Sequence, residues 1–259
     1  MCPENYKLEK IKVSIVSYLN TTPLVFGIEN TPSFLDQIEL HKDIPSECAR
    51  KLIDGEVDLG LIPVAAIPKL KEAHVLSDYC IGAVGKVKSV LLVSDVPLDQ
   101  IETIYLDYHS RTSVNLCKIL CKEHWQIAPD FIPGEPGFEN NISGTTAGVI
   151  IGDRTFNFEK EYAYQFDLSE EWQKLTTLPF VFAAWVSTKK LSAAFIQAFN
   201  QALHFGLDQM DESIKRSSQT TITPKELKEY LTEFIDFDLN EDKRTAMNLF
   251  LSKLEKVTK

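Results

Sequence analysis

The sequence has no surplus of positive charge. Its 37 acidic residues outnumber 27 lysines and arginines, giving a formal net charge of −10 and a pI near 5.1. A phosphate backbone calls for a basic face, so nucleic acid is excluded as a partner. An anionic small molecule is not excluded, because a few local donors outweigh a distant acidic surface. Long hydrophobic runs are missing too: none approaches the ~18 apolar residues that span a bilayer. The N-terminus, MCPENYKLEK, is polar and leads into the first strand without the apolar stretch of a signal peptide, and Cys2 lacks the segment a lipobox needs. A cytoplasmic protein that uses no membrane is expected. Cysteine is sparse and odd in number, at Cys2, Cys48, Cys80, Cys117 and Cys121, as for reduced thiols. Cys117 and Cys121 fall on one helix face, but no second pair of ligands has matching spacing, so buried apolar packing is favoured over a metal.

Catalytic signatures are absent as well. There is no G-x-G-x-x-G, no G-x-S-x-G elbow and no H-E-x-x-H. GAVGK at 82–86 ends like a phosphate loop, but its first glycine would fall at Cys80 and no Ser or Thr follows Lys86. The five histidines are dispersed, and His109 has the most suggestive neighbours. Hydride transfer, phosphoryl transfer and metal hydrolysis have no foothold.

What is present is a core-forming chain of 259 residues, 44% hydrophobic, enough for one large domain or two small ones. KVSIVS (12–17), IELHKD (38–43), VDLGLIP (57–63) and HVLSDYCIGAVG read as strands. A helix from Pro45 to about Gly55 and a short one over VAAIPKLK separate them. KSVLLVSD (88–95), TIYLD (103–107), DFIP, AGVIIGD (147–153) and YAYQFD (162–167) form a second α/β unit around a helix at 110–125, and PFVFAAWVS (179–187) is again strand. From Leu191 onward, apolar residues recur at three and four, so the tail is expected to be helical with no strand. Two lobes are expected, one from 1–95 plus 185–259 and one from 96–184. They would be joined by extended stretches near 93–97 and 181–186, with a ligand cleft between them at the carboxyl ends of the strands.

The unusual polar groups all follow predicted strands. DYHSRTS (107–113) ends a strand and opens a helix, whose free N–H groups and dipole attract anions. There Arg111 can clamp a carboxylate, and Ser110, Thr112 and Ser113 add hydroxyls. A capped helix with a surface arginine fits the same residues equally well. In VSYLNTTPL (16–24), Tyr18, Asn20, Thr21 and Thr22 precede Pro23, either as turn chemistry or as ligand donors. Pro63 turns a strand into a helix, Ser89 starts an apolar strand, and Gly152-Asp153 follows a buried one, with Asp153 open to reading as a cap.

Taken in order, VSYLNTTPL, PSECARKLIDGEVDLGLIPVAAI, KSVLLVS, SRTS, VIIGDRTF and LPFVFAAWV closely resemble the MqnA family, the chorismate dehydratases of the futalosine route to menaquinone. The resemblance runs from about Lys12 to about Ser187. Members are typically acidic ahead of the IIGD strand, where this chain has Thr146. The resemblance implies an α/β, two-lobed, type II periplasmic-binding-protein-like fold with a helical C-terminal tail. It also implies elimination of water from chorismate to 3-[(1-carboxyvinyl)oxy]benzoate, without metal or organic cofactor. By motif match, Asn20 and Ser89 stand at the reacting centre. Tyr18, Thr22, Pro63, Ser110, Arg111, Thr112, Ser113, Gly152 and Asp153 bind substrate. A monomer or weak homodimer is expected. An intracellular solute-binding or ligand-sensing protein on the same fold, and the related 1,4-dihydroxy-6-naphthoate synthase, are the rival readings.

Overall fold

The computed structural model describes residues 9–158, 160–218 and 221–257; Cys2 and the polar N-terminus lie outside them. Two mixed sheets form the frame. The first contains β1 (Ile11–Val16), β2 (Ile38–Asp43), β3 (Leu59–Pro63), β4 (His74–Ala83), β10 (Phe180–Ser187) and β11 (Asp236–Asp238), ordered β11-β4-β10-β3-β1-β2. The second contains β5 (Val90–Ser94), β6 (Thr103–Leu106), β7 (Asp130–Pro133), β8 (Thr146–Ile151) and β9 (Tyr164–Asp167), ordered β7-β6-β8-β5-β9.

Strand β1 pairs in parallel with β2 and β3. The helix Pro45–Ile53 crosses from β2 to β3 and packs on β3, with Cys48, Ala49 and Leu52 buried. All five residues of β3 are buried, as its unbroken apolar run requires of a strand covered on both faces. Strand β10 then runs antiparallel between β3 and β4. The chain passes between sheets after Ala83 and again after Asp167. The expected lobe limits at 96 and 184 therefore leave β5, and most of β10, on the far side of the division. The stretches taken as connectors overlap these two strands, because each is apolar enough to pair within a sheet interior.

The tail is not wholly helical. Strand β11 adds to the edge of the first sheet beside β4, a position hidden in the sequence because DFD is short and acidic. Fully buried Lys243 fastens it, with its ammonium 2.6 Å from the Asp236 carboxylate and 2.5 Å from the Asp238 carbonyl. VAAIPKLK forms the expected short helix as a 3₁₀ helix, Val64–Lys69. The helix Ala193–Asp208 lies against the helix Thr22–Glu29 at a crossing too close for side chains: a Cβ on Gly206 would sit 1.9 Å from the Pro23 carbonyl. The final helix, Glu241–Val257, packs on β10 and on the helix Arg111–Glu123. Cys117 and Cys121 are buried on the latter's inner face.

Candidate active site

The carboxyl ends of β1, β3 and β8 and the start of β5 converge on a small, partly enclosed cavity between the sheets. Val16, Leu61, Pro63, Ile81, Ile151 and Phe182 supply apolar wall. The polar lining consists of Tyr18, Asn20, Thr21, Ser89, Ser110 and Ser113. Among the described residues, no Asp, Glu, Lys, Arg or His lines the cavity, and the polar groups that do are neutral.

The loop after β1 is tied by Thr21, whose Oγ1 lies 2.6 Å from the Val16 carbonyl and 2.8 Å from that of Tyr18. Pro23 then enters the first turn of the helix Thr22–Glu29. Turn chemistry thus accounts for Thr21 and Pro23 and leaves Asn20 facing the cavity. Thr22 does not reach it. The helix points Thr22 into a separate outer groove with Glu29, Lys42 and Arg216.

Tyr18 reaches across to the second sheet, where its hydroxyl lies 2.9 Å from His109 Nδ1. Burial, aided by the Asp107 carboxylate, pushes the phenol well above its ordinary range. Burial, with the Arg154 guanidinium nearby, lowers the His109 imidazolium's stability. A neutral phenol donating to a neutral imidazole fits both shifts. Beneath them Arg154 bridges the buried Asp107 carboxylate and the half-buried Glu139 carboxylate. Asp107 also accepts the His109 N–H at 2.8 Å and the Ile151 N–H at 3.2 Å. This network stiffens the floor without entering the cavity.

At the start of the helix Arg111–Glu123, Ser110 Oγ accepts the Ser113 N–H at 3.0 Å and lies 2.9 Å from Ser113 Oγ. Both hydroxyls face the cavity. Arg111 is not part of the wall. One position along a helix turns a side chain by about 100°, so a face holding residues 110 and 113 excludes 111. Thr112 is turned away as well, its Oγ1 accepting the Ala65 N–H at 3.2 Å.

Ser89 follows Lys88, whose φ of +63° lies in the left-handed region, costly for a residue with a side chain. The buried Asp167 carboxylate holds this turn, accepting the Val87 N–H at 2.9 Å and the Lys88 N–H at 2.7 Å. Its other oxygen caps the helix Leu168–Thr176 through Ser169 and Glu170. The Ser89 carbonyl accepts the Gly152 N–H at 2.8 Å. Gly152 has φ +66°, and a Cβ there would press on the Tyr18 ring at 3.3 Å. Asp153 stands outside the cavity and caps nothing. It accepts the Leu19 N–H at 3.3 Å, and burial pushes its carboxyl up to about 6.

A family model described as menaquinone biosynthesis matches residues 11–256. The chain belongs to the menaquinone biosynthesis family. Among curated relatives, the chorismate dehydratase of Thermus thermophilus is 28% identical, with 92% of each chain covered. That of Campylobacter jejuni is 23% identical, with 91% of this chain and 94% of the relative covered. Solved structures show the fold. A protein of Archaeoglobus fulgidus superposes with a TM-score of 0.72 at 14% identity over 96% of both chains. The periplasmic aliphatic sulphonate binding protein of Escherichia coli does so with 0.60 at 14% identity, over 96% of this chain and 87% of that one. The architecture is the two-lobed one of periplasmic binding proteins.

Of the residues expected to form the site of this family member, the structure brings Tyr18, Asn20, Pro63, Ser89, Ser110, Ser113 and Gly152 to one cavity. Thr22, Arg111, Thr112 and Asp153 are left outside. Thr146 opens β8, at the end of that strand away from the cavity. Sequence reasoning missed Tyr230, whose hydroxyl donates to Ser89 Oγ at 2.7 Å from 141 residues away. An aromatic in an amphipathic helical segment gives no local sign of such a role. Asp107 and Arg154 were missed as partners for the same reason, although both flank motifs that stood out.

Proposed function

We propose that the chain is a chorismate dehydratase, a hydro-lyase. It eliminates water from chorismate to give 3-[(1-carboxyvinyl)oxy]benzoate. It acts in the cytoplasm as a monomer or weak homodimer, without metal or organic cofactor. The observation that carries this reading is an apolar cavity whose polar lining among the described residues is neutral, with Asn20, Ser89 and the helix-start serines Ser110 and Ser113 together on its wall.

Chorismate carries a ring carboxylate and an enolpyruvyl carboxylate. The positive end of the helix Arg111–Glu123 and the hydroxyls of Ser110 and Ser113 suit the ring carboxylate. That contact also holds the charge that spreads onto it as the ether-bearing ring carbon loses its proton. Ser89 and Asn20 serve the departing hydroxyl and the ether. Aromatisation drives the reaction, so the protein's work is to orient, exclude water and stabilise the leaving group. In this reading the substrate's own enolpyruvyl carboxylate is the candidate proton acceptor, as no basic side chain among the described residues lines the wall. A site lined by a histidine or lysine would instead point to a protein base.

The fold by itself would serve a ligand-holding protein equally well. Pure protein mixed with chorismate separates the two readings. Appearance of the benzoate product with no additive is expected, together with a loss of at least about 100-fold in kcat for Ser89→Ala and Asn20→Asp. Tight binding of chorismate without turnover would replace the enzyme by the solute-binding reading. Near-wild-type turnover in both variants would overturn the site.

A further inference from the structure

The C-terminal tail closes on the Ser89 turn. The capped helix Pro224–Glu229 runs into a π-helical turn, Tyr230–Phe234, and three residues of this junction grip Lys88 and Ser89. Glu229 takes the Lys88 ammonium at 2.9 Å, and the Phe234 ring lies 3.8 Å beneath that ammonium. Between these two, the Tyr230 hydroxyl donates to Ser89 Oγ at 2.7 Å. Tyr230 is 3% exposed, and its ring packs edge-on against Phe156. Ser89 Oγ has no other hydrogen bond among the described residues, and Asn20 lines the same cavity as Ser89. Irregular π-turns commonly mark functional positions. Here the turn delivers one buried hydroxyl to Ser89 at the start of β5.

We infer that Tyr230 is a positioning residue that aligns and polarises the Ser89 hydroxyl as hydrogen-bond donor to the leaving group. The inference rests on the dehydratase reading and adds to it a residue from the tail. The direction of the chain follows from the donors. The phenol donates to Ser89 Oγ, and the Ser89 hydrogen is left to point into the cavity. Burial keeps Tyr230 protonated far into the alkaline range, so it stays a donor. Each bond in such a chain strengthens the next. In the elimination, the electron pair of the breaking C–H bond becomes the third ring double bond, and the C–O pair leaves with oxygen. The proton taken from carbon completes the water. Ser89 contributes a hydrogen bond as that oxygen gathers charge, and neither Ser89 nor Tyr230 is consumed.

The test is a double-mutant cycle on the full chain with chorismate as substrate, comparing wild type, Y230F, S89A and S89A/Y230F, with thermal melts of each. Y230F should lose about 10- to 50-fold in kcat with KM within about twofold. In the S89A background the same change should cost less than about twofold, because a group acting through Ser89 has nothing left to polarise. An equal loss in both backgrounds, or full kcat in folded Y230F, overturns the inference while wild-type turnover keeps the dehydratase reading. A wild type inert toward chorismate overturns both. Should Y230F fail to fold, site-specific 3-fluorotyrosine at 230 keeps the shape and strengthens the donor. A severalfold rise in kcat is then expected, and an unchanged kcat overturns the proposal.

Discussion

Replacing Asp167 with alanine tests whether the Ser89 turn is held against its own backbone preference. One carboxylate accepts four N–H groups here: Val87 and Lys88 on one oxygen, Ser169 and Glu170 on the other. Loss of the helix cap costs about 1 kcal/mol. The Val87 N–H is buried, and leaving it without an acceptor costs about 1–3 kcal/mol. Burial has raised the proton affinity of Asp167, so removing it relieves some desolvation and offsets part of the loss. A net destabilisation of about 2–3 kcal/mol follows, which for a chain of this size lowers the Tm by roughly 5–10 °C.

The activity should fall further than stability explains. Lys88 at φ +63° stores about 1 kcal/mol of strain that Asp167 restrains. Released, the turn swings toward negative φ and carries Ser89 away from Tyr230. A shift on the order of 1 Å at such a group costs about 100-fold in kcat. Chorismate turnover measured well below the variant's Tm separates this from unfolding. The pair Asp167→Ala/Lys88→Gly should regain part of the kcat, because glycine holds positive φ without strain. An Asp167→Ala variant that melts within 2 °C of wild type, or turns over at the wild-type rate (about 2 °C and twofold being the resolution of such assays), would refute the reasoning.

Two further outcomes are expected. Gly206→Ala puts a methyl group about 2 Å from the Pro23 carbonyl and drives apart the helices Thr22–Glu29 and Ala193–Asp208. A loss of about 3 kcal/mol or more in urea denaturation is expected, and a neutral result would mean the two helices slide freely. Asp153→Asn should change the pH dependence of stability. The folded carboxyl titrates near 6 against an ordinary 3.8. Between about pH 4 and 6 the native state therefore keeps a proton that the unfolded chain has released, and wild-type stability falls as pH rises through that window. Asparagine keeps an acceptor for the Leu19 N–H but carries no charge. It should match wild type near pH 3.5 and exceed it near pH 7 by a margin on the order of 3 kcal/mol. A difference that does not vary with pH would place the Asp153 carboxylate in water.

What could be read from the sequence follows the range of the interactions. Strands β1 to β10 announce themselves through apolar, β-branched runs, because local alternation and burial dictate them. The three-residue β11 does not, since two of its residues are aspartates held by Lys243. The site divides the same way. Ser110 and Ser113 were legible because helix capping is local. Arg111 stands outside the cavity wall, a placement the motif hides because it gives residue types but not the 100° step between neighbours. Thr22 fails for a similar reason, one residue past a turn that faces inward. Tyr230, Asp107 and Arg154 act through contacts spanning tens of residues or more, which depend on how the tail and the second sheet close over the first. The strand-end donors are therefore carried by local chemistry, and the groups that aim them come from elsewhere in the chain.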